Sequence, residues 1–129
     1  MMGRRMFPSR ARLPMIQQAE LAECGLACLA MVGRYHGHDI DLPALRRRHP
    51  LSTKGATLSQ LIDVAAKLGM SSRPLRVELE YLEQLATPCI LHWGMNHFVV
   101  LKRAGRGFVE IHDPAVGVRR INAQELATS

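Results

Sequence analysis

At 129 residues, with 47% hydrophobic and 22% charged positions, the chain is sized for one domain with a substantial core and has none of the bias of a disordered or fibrous protein. The formal charge of +6 suits an acidic partner, but 5% aromatics and the lack of a base-stacking stripe or helix-turn-helix pattern argue against nucleic-acid binding. The longest apolar stretch, Leu26 to Val32, is too short to span a bilayer, and the opening MMGRRMFPSR lacks the apolar middle of a signal peptide. Three cysteines without an export signal read as thiols in a reducing compartment, so Cys24, Cys28 and Cys89 are expected unbridged.

Residues 1–12 read as a basic, disordered arm carrying Arg4, Arg5, Arg10 and Arg12, and 13–129 as the folded domain. From Glu23 or Cys24 to Tyr35, good helix formers precede Gly37, with Leu26, Leu29, Ala30 and Gly33 at helical spacing. A short helix, Leu42 to Arg48, stops at Pro50 with Arg46, Arg47 and Arg48 at its solvated end. A third runs from Thr57 to Leu68, with Thr57 and Gln60 spaced as a capping box and Gly69 as the stop.

Beyond Gly69 the period changes. "SSRPLRV" reads as extended and "ELEYLEQL" as a small helix closed by Pro88. "CILHW", "HFVVL", "GFVEIH" and "GVRRI" are then β-rich runs separated by turn residues, an antiparallel meander. In the last stretch Asn122 is a helix cap with Glu125 three residues on. Helices first and sheet second spell an α+β fold.

Two patterns carry chemistry. A hairpin turn "RAGRG" centred on Gly105 puts His97 directly opposite Asp113, and opposed residues on an antiparallel pair point to the same side at hydrogen-bonding reach. An acid so placed orients a general base, although an Asp before a proline also opens turns in its own right. In "QQAELAECGLACLAMV", Cys24 stands at a helix N-terminus, where the macrodipole and free backbone N–H groups favour thiolate; Cys28, one turn inside, does not. Gly25 permits a close approach by another backbone or a substrate. A helix-borne thiol facing a sheet-borne His and Asp is a cysteine-peptidase layout.

The strings "QAELAECGLACLAMV", "YHGHDIDL", "KGATLSQL", "LHWGMNHFVVL" and "HDPAVG", in this order over about residues 13 to 126, resemble the bacteriocin-processing double-glycine peptidases. These are the N-terminal domains of peptidase-containing ABC transporters, and the likeness is greatest to the branch exporting colicin V-like microcins. The resemblance implies a papain-like fold, N-terminal helices packed on the sheet, and cleavage of a leader peptide after Gly-Gly or Gly-Ala. It also implies export through the transmembrane and nucleotide-binding domains of an ABC exporter, at the cytoplasmic face of the bacterial inner membrane. Carried over, Cys24 is nucleophile, His97 general base and acid, Asp113 the orienting acid, and Gln18, six residues before Cys24, the oxyanion donor. No cofactor is implied. The sequence contains no GxxxxGK[ST] and no span, so an excised or stand-alone domain is expected.

Two rival readings are weaker. Cys24, Cys28, His36 and His38 do not suit a metal, because the cysteines share a helix whose far end lies more than about 10 Å away at 1.5 Å per residue. His92, His97 and His112 do not converge either, since 92 and 97 lie on different strands and 112 points opposite to 113. A module that docks leader peptides without cutting them belongs to another functional class, and the intact Cys-His-Asp-Gln set weighs against it. Cys28 and Cys89 fit a helix core face and a buried strand; Met31, Met70 and Met95 fit packing. Trp93 and Asn96 flank the histidine, with Trp93 either shielding the His-Asp pair or a leader groove, or filling the core.

Overall fold

The computed structural model describes residues 12–50, 54–93, 97–122 and 124–125. Most of the basic arm lies outside these, as do Met95 and Asn96; Arg12 is exposed.

The helices end where local chemistry stops them. A 3₁₀ turn, Leu21–Glu23, leads into α1, Cys24–Tyr35, and Gly37 at φ +89° turns the chain away. For α2, Leu42–Arg48, Asp41 caps by accepting the Ala44 N–H at 2.7 Å. The capping box of α3, Leu58–Lys67, is reciprocal: Gln60 N–H donates to Thr57 Oγ1 at 3.1 Å and Thr57 N–H to Gln60 Oε1 at 2.9 Å. "ELEYLEQL" winds as a 3₁₀ helix, Leu79–Gln84, rather than an α-helix, and "SSRPLRV" joins no strand. Asn122 Oδ1 accepts the Glu125 N–H at 2.8 Å, the cap expected there.

Four strands, β1 Cys89–Trp93, β2 His97–Gly105, β3 Phe108–Asp113 and β4 Gly117–Asn122, pair in sequence order as an antiparallel meander. Phe98 and Val100 of β2 face α1, whose Leu26, Cys28, Leu29 and Met31 form the larger core together with α2 and α3. Val99 and Leu101 face the other way, packing with Val109, Ile111, Ile121 and Leu82 of the 3₁₀ helix. Both faces of the sheet are thereby covered. This is why "FVVL" is apolar without interruption although the sheet is antiparallel. Among the described residues no helix is long and apolar enough to cross a membrane.

Candidate active site

Cys24 is the first residue of α1 and is 6% exposed. Burial raises its proton affinity, but hydrogen bonds from the His97 side chain and the Phe98 and Gly25 backbone N–H groups, with the charge of His97, bring the thiol below its ordinary value of 9.0. Among the described residues the other two thiols have no such partners. Burial pushes Cys28 well up and Cys89 to about 11. The close approach that Gly25 allows is by a side chain, not by backbone: a Cβ there would lie 2.8 Å from Leu61 Cδ2 of α3.

His97 and Asp113 do meet, Nε2 to Oδ1 at 2.9 Å, but not in the register expected from the sequence. The turn is Arg106-Gly107, closed by the pair Gly105↔Phe108, with Gly107 at φ +71°. A bulge between Leu101 and Arg103 shifts the ladder again, so that Val100 pairs with His112. Continuing one residue sets Asp113 opposite Val99. His97 lies two residues further along β2 and reaches the carboxylate on the diagonal, a distance an imidazole can cover. Its own partner in the ladder is Trp93 of β1.

Asp113 is buried and also opens the following turn, its Oδ1 accepting the Ala115 N–H at 2.9 Å. Burial opposes its ionisation, but the His97 and Ala115 hydrogen bonds and the charges of His97 and Arg119 hold it below the usual carboxylate range. The Asp113 hydrogen bond, followed by that of Cys24, pushes His97 up to about 9. With Nε2 engaged by Asp113, Nδ1 is the ring nitrogen left for the thiol. The sulfur holds its proton less tightly than a free thiol and the imidazole more tightly than a free histidine. Both shifts move the pair towards thiolate and imidazolium, the reactive form of a cysteine nucleophile.

Gln18 is tied to the same corner. Its backbone N–H donates to Pro114 O at 2.9 Å and its Nε2 to Leu21 O at 3.2 Å, which leaves the second amide N–H uncommitted among the described residues. His112 turns away from Asp113, as strand alternation requires, and its Nδ1 bonds Pro14 O at 2.9 Å.

Arg119 was missed by the sequence reading. Its Nη1 lies 3.7 Å from Asp113 Oδ2 and its guanidinium 5.5 Å over the Trp93 ring, which itself stands 6.3 Å from the His97 ring. Trp93 thus borders the His-Asp pair and at the same time packs against the second core. A signal was present: adjacent Arg119 and Arg120 on one strand must point to opposite faces, so both cannot face the same solvent.

An apolar recess of about 320 Å³ opens between α1, α3, the 70–75 segment and β1, lined by Leu29, Val32, Leu61, Met70, Leu75 and Phe98 among others. Leu61, which packs against Gly25, is part of that wall, so the recess begins one residue from Cys24.

Comparison with known proteins agrees with this layout. The chain is 51% identical over 116 residues to the colicin V secretion/processing ATP-binding protein CvaB of Escherichia coli, covering 90% of this chain and 17% of that protein. It is 48% identical over 118 residues to the probable microcin-H47 secretion/processing ATP-binding protein MchF of the same organism, covering 92% and 17%. The chain thus spans about a sixth of the length of these relatives. A crystal structure of a double glycine motif protease from an AMS/PCAT transporter, in complex with the leader peptide, superposes with a TM-score of 0.84 at 37% identity, covering 93% of this chain and 86% of that one. The family model of the peptidase C39 family matches residues 12–129, and the chain belongs to that family.

Proposed function

We propose that the chain is a cysteine peptidase that removes the leader of a bacteriocin- or microcin-type precursor after Gly-Gly or Gly-Ala. It acts at the cytoplasmic face of the inner membrane beside the transmembrane and nucleotide-binding domains of an ABC exporter. The observation that carries the reading is the hydrogen-bonded line Cys24–His97–Asp113, with the thiol's proton affinity lowered and the imidazole's raised.

In this mechanism Cys24 Sγ, as thiolate, attacks the carbonyl carbon of the glycine before the cut. The carbonyl electrons move to oxygen, which meets the Gln18 amide N–H and backbone N–H groups at the head of α1. Collapse breaks the C–N bond, and His97 gives its proton to the departing amine. The thioester is then attacked by a water whose proton His97 takes, and the sulfur leaves as thiolate. Asp113 holds the ring in position and favours its charged form; Arg119 keeps Asp113 ionised. Two glycines offer little to bind, so affinity comes from the leader upstream, whose apolar side chains fit the recess that starts at Leu61.

The test is to incubate the purified domain with a synthetic leader ending in Gly-Gly, followed by several cargo residues, and to identify the products by mass. Scission after the second glycine is expected; an uncut peptide that nonetheless binds would point to a docking domain instead.

A further inference from the structure

The segment from Gln18 to Cys24 is held from outside the reaction centre by one carboxylate. Glu23 is 4% exposed. Its Oε1 accepts the backbone N–H groups of Ala19 at 2.9 Å and Glu20 at 3.1 Å. Arg46, from α2, grips the same carboxylate with both arms of its fork, Nη2 to Oε1 at 3.1 Å and Nε to Oε2, while its Nε stands 3.4 Å from Glu20 Oε2.

Packing does not require this arrangement. The apolar residues Leu42 and Leu45 already bury α2 in the larger core, and burying a carboxylate is costly unless every partner is in place. What the carboxylate does locally is gather the two N–H groups at the start of the 3₁₀ turn and so set the backbone path between Gln18 and Cys24. The Gln18 carboxamide is part of the same loop through its bond to Leu21 O. A shift of the turn would therefore move the amide relative to the head of α1. The thiol has separate supports in His97, Phe98 and Gly25.

We propose that Glu23 and Arg46 are positioning residues that set the Gln18 carboxamide relative to the Cys24 sulfur, with α2 as the anchor. The proposal rests on the peptidase reading of Cys24 and Gln18. It assigns neither residue a contact with substrate.

The experiment compares Arg46→Met, Glu23→Gln, Glu23→Ala, Gln18→Ala and the double variant Gln18→Ala/Arg46→Met by cleavage kinetics, leader binding and iodoacetamide alkylation of Cys24. Arg46→Met should lower kcat by about tenfold to a hundredfold, the range a small misplacement causes. KM and the alkylation rate should stay unchanged. On the Gln18→Ala background the same change should cost at most about twofold, since the group it positions is already gone. Glu23→Gln keeps an oxygen for Ala19 and Glu20 and should retain more activity than Glu23→Ala. Wild-type kcat in Arg46→Met overturns the proposal, and so do losses that multiply in the double variant or fall equally on KM, kcat and alkylation. If Arg46→Met fails to fold, Arg46→Lys carries the test: it keeps the charge but not the fork, and an unchanged kcat there is equally fatal. Full activity in Gln18→Ala would instead sink the oxyanion assignment, an outcome visible without any Arg46 variant.

Discussion

Asp113 reaches His97 across a diagonal of the β2–β3 ladder, Oδ1 to Nε2 at 2.9 Å, because a bulge after Leu101 moves β3 off the register a simple hairpin would set. The acid is buried while the imidazole stays 32% exposed. One carboxylate oxygen serves both the ring and the turn at Ala115, so the ring's orientation and the β3–β4 turn are set together.

Replacing the two partners separates moving a proton from orienting the mover. His97→Ala should lower kcat by about 10⁴ or more, and Asp113→Asn by a factor roughly a hundredfold smaller. Steady-state cleavage of a Gly-Gly leader measures both. A normal rate in Asp113→Ala would mean that the diagonal contact has no part in the reaction.

The opposed shifts of the pair set a pH profile. On the acid side, cleavage and iodoacetamide alkylation of Cys24 should rise together as the thiol ionises, at a pH below that of an ordinary thiol. On the alkaline side cleavage should fall through about pH 9, where His97 loses the proton it must donate, while alkylation continues. In Asp113→Asn the largest cause of the histidine's rise is removed, so the alkaline limb must move to lower pH. A limb that stays in place would contradict the assignment of His97 as the acid.

The cysteines differ in environment and should differ in consequence. Cys24→Ala should abolish cleavage. Cys28→Ala and Cys89→Ala should keep most of it, with the fully buried Cys28 losing about 1 kcal/mol of stability to the small void left behind. Mass analysis after a short iodoacetamide pulse should find the label on Cys24 alone.

Gln18→Ala should lower turnover by roughly 10² with little change in leader affinity, because an oxyanion donor bonds the tetrahedral intermediate more strongly than the ground-state carbonyl. Gln17 is exposed and should tolerate the same change. Reversed behaviour of the two would move the oxyanion hole.

Specificity should divide between the cut and the recess. A leader with valine in place of the glycine at the cut should lose kcat but bind a Cys24→Ala domain nearly as well, measured by calorimetry. Leaders stripped of apolar residues, or a domain changed to Leu75→Asp at the exposed edge of the recess, should raise KM instead. Equal processing of a scrambled leader ending in Gly-Gly would remove the recess from the account.

Much of this was legible in the chain, because capping and turn chemistry act over a few residues. Thr57 with Gln60, and Gly37 and Gly69, mark helix ends locally, and the bounds of α1 and α2 match those read from sequence. The same locality put Cys24 at the head of α1, and the spacing of Gln18 before it carried the family resemblance. The register of β2 on β3 was not local. It depends on where a bulge relieves packing between two covered faces, and a hairpin counted from Gly105 is out of register from its first pair. Still less could the sequence state which charges would meet. Arg46 grips Glu23 across 23 positions and His112 holds Pro14 across 98, while Arg119 completes a corner with Trp93 and Asp113 drawn from three strands. Such contacts exist only once α1 and the sheet have buried their apolar faces against each other, since that packing brings the charged groups within reach and removes the water that would otherwise screen them.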